Sequence, residues 1–159
     1  MKSYIEFINE SHDKNDLYYH GSFNKFDEFV PGEAESYNIH TYHFTKNINY
    51  AKHYGDIIYV VKLNIGDSQI FDTRKKEHMD IFIESLDKYN VEDKEKCLSL
   101  FKKGLPEWMN DFAYYCAWKN QFQGILVSEE DEEESIAIFN KHKIKIIKRE
   151  KRENIFPVH

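Results

Sequence analysis

The sequence predicts an α+β domain built on a mainly antiparallel sheet. Three observations carry this. β-Branched and aromatic runs cluster early and late in the chain. Long segments with apolar residues three or four apart fill the middle. A Gly-Ile-Leu-Val run and an Ile-Ala-Ile-Phe run, separated by an acidic turn, form a hairpin over residues 124–139. Strands, then helices, then strands is the order of segregated α+β architectures, not of alternating α/β ones.

Residues 1–16 are polar, with Tyr4, Ile5, Phe7 and Ile8 near helical spacing, and read as an arm or short helix. Leu17 to His20 is a strand, and Phe23, Phe26 and Phe29 follow at three-residue intervals as a turn pinned to the core. Pro31-Gly32 breaks that segment, and residues 33–40 read as a polar loop lying over a pocket. Tyr42 to Phe44 is a short strand. Asn47 to Tyr54 is a short helix stopped by Gly55 in the cap position. Ile57 to Leu63 is the clearest strand of the chain. Gly66-Asp67 turns it, and Ile70 to Asp72 is extended again.

Lys75 to Lys88 carries Met79, Phe82, Ile83 and Leu86 on one helical face. Val91 to Lys103 is a second helix with Cys97, Leu98, Leu100 and Phe101. Pro106 opens a third, Glu107 to Gln121, whose stripe is Trp108, Phe112, Tyr115 and Cys116. After the hairpin, Ile144 to Ile147 closes the sheet.

A length of 159 residues points to one domain over 1–159. Eleven tyrosines and 12 phenylalanines give it a core of rings with polar tips. The net charge of −6 argues against an electrostatic nucleic-acid binder, which needs a basic footprint. Cys97 and Cys116 fit neither a metal site nor a disulfide framework, and read as buried thiols of a reducing, cytoplasmic compartment. Nothing at the N-terminus resembles a signal peptide, and no apolar run is long enough to span a membrane. His40 and His43 are close, but with no third ligand beside them no metal site is expected. No phosphate-binding glycine loop and no nucleophile elbow is present.

The chemistry concentrates early. His20 ends a strand and is followed by Gly21 and Ser22, which sets an ionisable ring beside a backbone a ligand can approach. His43-Phe44-Thr45 and Tyr50-Ala51-Lys52-His53-Tyr54-Gly55 follow. Each alone fits an ordinary core: a lone histidine making a local bond, a helix tyrosine packed inward.

Leu17-Tyr18-Tyr19-His20-Gly21-Ser22, His43-Phe44-Thr45, Tyr50 to Gly55, Tyr59-Val60-Val61, Phe122 to Val127 and Ile136 to Asn140 with Ile144-Lys145 stand in one order. That order resembles the ADP-ribosyltransferase fold of the poly(ADP-ribose) polymerase and diphtheria-toxin type, over about residues 17–147. The nearest likeness is to small phage and mobile-element mono-ADP-ribosyltransferases, including anti-CRISPR ones. The resemblance implies a split antiparallel sheet with helices and NAD as the substrate. His20 would hold the ribose, Gly21 the nicotinamide amide, and Tyr54 would stack on the nicotinamide ring, with Ser22, Phe44 and Thr45 completing the NAD site. It also implies a protein acceptor in the cytoplasm of a bacterial cell, a defence or host regulatory protein, a nucleic-acid-binding one included. The charge turns the reading away from a nucleic acid acceptor.

Two positions depart from the family pattern. His43 stands where many relatives have tyrosine, and Ser135 stands where relatives of the polymerase type have a glutamate opening the last motif. The acid matters because cleavage of the nicotinamide–ribose bond passes through an oxocarbenium-like state that a carboxylate stabilises. Glu134 is adjacent, but neighbours in a strand point to opposite faces unless a bulge intervenes. Asp111 lies at the edge of the apolar stripe of the third helix. It is either a charge favoured by the helix dipole or an inward-facing acid. Since some small phage-type transferases place their acid on the helix before this strand, Asp111 is the first choice for the catalytic acid with His20 and Tyr54. Glu107 and Glu134 stand behind it.

The run Glu129 to Glu134 is either a solvated hairpin tip or a lure for a basic partner. Lys141 to Arg152 either balances it or guards a strand edge. The alternative function is therefore a catalytically inactive module that occludes a basic surface with its acidic hairpin. A histidine-based nuclease draws little support from the spacing.

Overall fold

The computed structural model describes residues 16–29, 32–34, 38–102, 110–128 and 133–151. The expected N-terminal arm, Pro31, Pro106, Glu107, Trp108 and the tip of the acidic run lie outside the described residues. Eight strands are described: β1 (Leu17–Ser22), β2 (Gly32–Ala34), β3 (Ile39–Phe44), β4 (Ile57–Leu63), β5 (Ile70–Phe71), β6 (Gly124–Ser128), β7 (Glu134–Ile138) and β8 (Ile144–Lys151). The α-helices are α1 (Ile48–Ala51), α2 (Lys76–Lys88), α3 (Lys94–Lys102) and α4 (Asn110–Lys119).

The strands form two sheets. β4 runs between β1 and β8 in a three-stranded sheet, and the other has the order β2-β3-β7-β6-β5. All pairings are antiparallel except β5 with β6. The α+β expectation stands, with the sheet split in two. β4 matches the run read from sequence residue for residue, because a β-branched segment between turns has no competing use. β8 runs to Lys151 and lies against β4, with a register shift at Val60/Val61.

Residues 33–40 are a correction. Instead of a loop, Gly32–Ala34 pairs with Ile39–Thr41 as a hairpin, so β3 begins three residues earlier than its apolar part. Backbone pairing supports polar residues there that patterning alone assigns to a loop. Phe23 is a second correction: it is exposed, whereas Phe26 and Phe29 pack inward against Tyr59.

Two apolar cores flank the five-stranded sheet. Tyr42, Phe44, Ile136 and Ile138 on one face meet Tyr18, Tyr59, Val61 and Leu63 of the three-stranded sheet. Ile125, Val127 and Ala137 on the other face meet Phe82, Leu86, Phe112, Ala113 and Cys116 of the helices. Alternate residues of β7 serve the two cores, which is the period-two rule acting on a strand buried on both sides. Each fully buried side chain of this size contributes roughly 1.5–3 kcal/mol of apolar burial. The cysteines are buried thiols as expected: Cys116 donates from Sγ to the Ser85 hydroxyl at 3.3 Å, and burial pushes the Cys97 thiol up to about 11. No described helix is long and apolar enough to cross a membrane.

The sheets meet where β1 and β3 come together. The Tyr19 N–H donates to the Thr45 carbonyl at 2.7 Å, and the Thr45 N–H donates back to the Tyr19 carbonyl at 3.0 Å. This is the single bridge there, and beyond it the strands diverge into their own sheets. The wedge that opens between them is where the candidate residues gather.

Candidate functional site

A cavity of about 300 Å³ occupies this wedge, lined by Tyr19, His20 and Gly21 of β1, His43, Phe44 and the following Thr45, Tyr50, Ala51 and Tyr54, and Ser135 of β7. Three regions far apart in sequence, residues 19–21, 43–54 and 135, thus build one site.

α1 forms one wall because its N-terminus is capped. The Asn47 side-chain oxygen accepts from the N–H groups of Asn49 at 3.0 Å and Tyr50 at 3.4 Å, satisfying two orphan donors. The helix tightens into a 3₁₀ turn over Lys52–Tyr54 and ends at Gly55, whose φ is +157°. Gly21 has a packing reason to be glycine: a Cβ there would overlap the Ala51 carbonyl oxygen and lie 2.9 Å from its carbon. The missing side chain lets α1 sit directly on β1. Tyr50 and Tyr54, one turn apart, share a hydroxyl–hydroxyl bond of 2.8 Å. The Tyr54 ring is 53% exposed at the rim, an unusual cost for an aromatic side chain and one that a stacking ligand would remove.

His20 is wedged among aromatic rings, edge-on to Phe29 at 5.1 Å and near Phe26, Phe44 and Tyr59. This strand-end histidine therefore carries core packing as well as lining the cavity. Its Nδ1 lies 2.8 Å from the His43 carbonyl oxygen. A carbonyl only accepts, so Nδ1 carries the proton, and in the neutral ring Nε2 is left with its lone pair. Burial holds its pKa below the ordinary histidine value, against the opposing pull of that hydrogen bond. The His43 ring reaches the other way, its Nε2 lying 3.0 Å from the Tyr114 hydroxyl on α4. Burial first, and then the neighbouring His20, lower His43 to about 4. Both rings are neutral at pH 7, and among the described residues no lining side chain carries a charge there.

The predicted residues do not all converge. His20, Gly21, Phe44, Thr45 and Tyr54 line the cavity; Ser22 does not. The Ser22 hydroxyl accepts from the Asn24 N–H and donates to the Asn24 carbonyl, both at 3.0 Å, closing a local turn. Glu134 points away. Its carboxylate pairs with Arg74 at 2.8 Å, and the same guanidinium grips buried Asp72 through two 3.0 Å bonds. Burial alone would raise the Asp72 carboxyl; the Arg74 bonds outweigh it and hold Asp72 below its usual value. No bulge rescues Glu134, and Ser135 is the β7 residue that faces the cavity. Asp111 lies in the first turn of α4, three residues before Tyr114, with its side chain outside the described residues. Among the described residues no cluster of metal-ligating side chains exists.

The sequence-predicted binding set lacks the lining residues Tyr19, His43, Tyr50, Ala51 and Ser135. Three of them carry a signal: Tyr50 is one turn before Tyr54, His43 is two residues before Thr45, and Ser135 opens the last motif.

The architecture has a solved counterpart. The structure matches the crystal structure of an anti-CRISPR protein with a TM-score of 0.56, over 82% of this chain and 94% of that one. The two share 11% identity, so the likeness is one of fold. No family model and no curated protein matches the sequence.

Proposed function

We propose that this chain is an NAD-dependent mono-ADP-ribosyltransferase that modifies a protein target in a bacterial cell, in an anti-CRISPR-like role. One observation carries the reading. Five of the six residues that the ADP-ribosyltransferase resemblance assigns to the NAD site, His20, Gly21, Phe44, Thr45 and Tyr54, line one cavity together with Ser135 of the last motif.

The chemistry of the walls supports it. A neutral His20 with Nδ1–H engaged offers Nε2 as an acceptor for a ribose hydroxyl. The rings of Tyr19, Phe44, Tyr50 and Tyr54 suit a flat cationic pyridinium, which prefers an electron-rich face. The anti-CRISPR role takes its support from the fold likeness, and a protein acceptor fits the net charge of −6 better than a nucleic acid does.

The test is incubation of the purified protein with labelled NAD and a bacterial lysate, wild type beside His20→Asn. Asparagine keeps a donor for the His43 carbonyl and removes Nε2, and it disturbs the surrounding rings less than alanine would. A labelled band is expected with wild type and not with the variant, at matched unfolding midpoints. Equal labelling by a folded variant would remove His20 from the site.

A second reading rests on Ser135. With a hydroxyl in place of the acid and no charge on the described walls, an inactive module on the same fold would bind NAD without cleaving it. NAD binding without nicotinamide release would select this reading.

A further inference from the structure

Among the described residues the cavity has no carboxylate on its walls, yet the register of its own strands leads towards one nearby. β3 and β7 pair antiparallel with Phe44 opposite Ile136. One step outward sets Thr45 against Ser135, both lining residues. Two further steps set Asn47 against Glu133. A direct contact matches that extrapolation: the Asn47 Nδ2 donates to the Glu133 Oε1 at 2.9 Å. Thr45 and Ser135 line the cavity, and Glu133, which immediately precedes β7, is tied to Asn47 just beyond them. It stands two residues beyond Ser135, roughly 7 Å along the strand. Glu134, between them, faces the other way and is held by Arg74.

Asn47 makes this placement firm. Its side-chain oxygen caps α1 while its side-chain nitrogen holds Glu133. Its own N–H donates to the Thr45 hydroxyl at 3.1 Å, and that hydroxyl donates to the Glu134 carbonyl at 3.3 Å. One asparagine thus ties the helix carrying Tyr50 and Tyr54, the lining Thr45 and the Glu133 carboxylate into one rim.

We infer that Glu133 is the catalytic carboxylate of this site, replacing the acid that Ser135 lacks; the inference rests on the transferase reading above. In the reaction the C1′–N bond between ribose and nicotinamide breaks heterolytically. Its electron pair leaves on the ring nitrogen, so the pyridinium becomes neutral nicotinamide and the ribose an oxocarbenium cation. Water or a protein nucleophile then forms the new bond at C1′ and releases its proton to solvent. Glu133 forms no bond; its negative charge, fixed by Asn47, lies where positive charge develops.

The experiment measures NAD affinity by calorimetry and nicotinamide release with water as acceptor, for wild type, Glu133→Gln, Glu134→Gln and Asp111→Asn. Glutamine keeps an oxygen for Asn47 and removes the charge. Glu133→Gln is expected to lower the turnover rate at least ~100-fold, the scale of losing one preorganised electrostatic partner, while NAD affinity changes less than about threefold. Glu134→Gln is expected to turn over like wild type. Wild-type turnover by Glu133→Gln, or a loss confined to Asp111→Asn, would overturn the assignment. So would a Glu133→Gln protein that loses NAD affinity in step with turnover, since that marks a structural role. Wild type that binds NAD but releases no nicotinamide would overturn the catalytic role of Glu133 and leave the NAD site standing. Wild type that does not bind NAD would overturn the transferase reading itself.

Discussion

His20 and His43 are both kept uncharged by burial, and this has a measurable cost. An unfolded histidine takes up a proton near pH 6.5, whereas burial lowers His43 to about 4 in the fold and lowers His20 and His78 as well. Across that window the unfolded chain binds more protons than the native one, so stability rises with pH. Stability is therefore expected to be full above about pH 6.5 and to fall as the pH drops towards 4. His43 alone accounts for something on the order of 3 kcal/mol. Urea unfolding at a series of pH values checks this, and a flat profile between pH 6.5 and 4 would mean that the rings are not buried as neutral species. At the rim, Tyr54→Ala should weaken NAD binding by about 1–3 kcal/mol, the scale of an aromatic stacking loss. Tyr54→Phe should keep most of that affinity, because the hydroxyl bonds to Tyr50 and not to the ring's stacking partner. Calorimetry showing unchanged affinity for Tyr54→Ala would dismiss the stacking role.

The element that matters most is α1 with its 3₁₀ extension, only seven residues long and too short to be stable alone. It holds its place by a cap at Asn47 and by two glycines that remove obstacles. A Cβ at Gly21 would overlap the Ala51 carbonyl oxygen, and one at Gly55 would overlap the Ser22 carbonyl group. Gly21→Ala is expected to cost more than ~2 kcal/mol or to prevent folding, since the clash is with backbone and not with a flexible side chain. Gly66→Ala is the control: a Cβ there meets nothing closer than a side-chain oxygen at 3.9 Å, so a change within about 0.5 kcal/mol is expected. Denaturant midpoints compare the two. The sequence showed this helix and its glycine stop, because an Asn cap and a terminal Gly are local signals. It showed Gly21 only as an opening for a ligand. That the opening is filled by Ala51 follows from tertiary contact, which no local pattern encodes. The hairpin of β2 with β3 was hidden for a related reason: its backbone pairing joins residues that carry no alternating apolar pattern.

At the scale of the molecule, strand order and helix order were readable from patterning, because β-branched runs and 3–4 spacing each point to one periodicity. The division into two sheets was expected only through the family resemblance, since it depends on which strands exchange hydrogen bonds. The same gap explains the acid. Ser135 could be seen facing the site from its place in the last motif, and Glu134 could be set aside by alternation. Glu133 becomes visible only when the β3–β7 register places it opposite Asn47. The acidic run reads from sequence as a hairpin tip or a lure for a basic partner, but its last two members are held separately, Glu133 by Asn47 and Glu134 by Arg74.

The junction of Tyr19 with Thr45 carries a consequence for how such a protein tolerates change. The mouth of the cleft is set by two amide-to-carbonyl bonds, and main chain is common to every residue type. The spacing of the walls is therefore insulated from substitution, while the side chains that project from them remain free to drift. A histidine for a tyrosine, or a serine for a glutamate, alters what the cleft can do without altering its shape. Two proteins that share 11% of their residues can keep one fold while the side chains it carries differ.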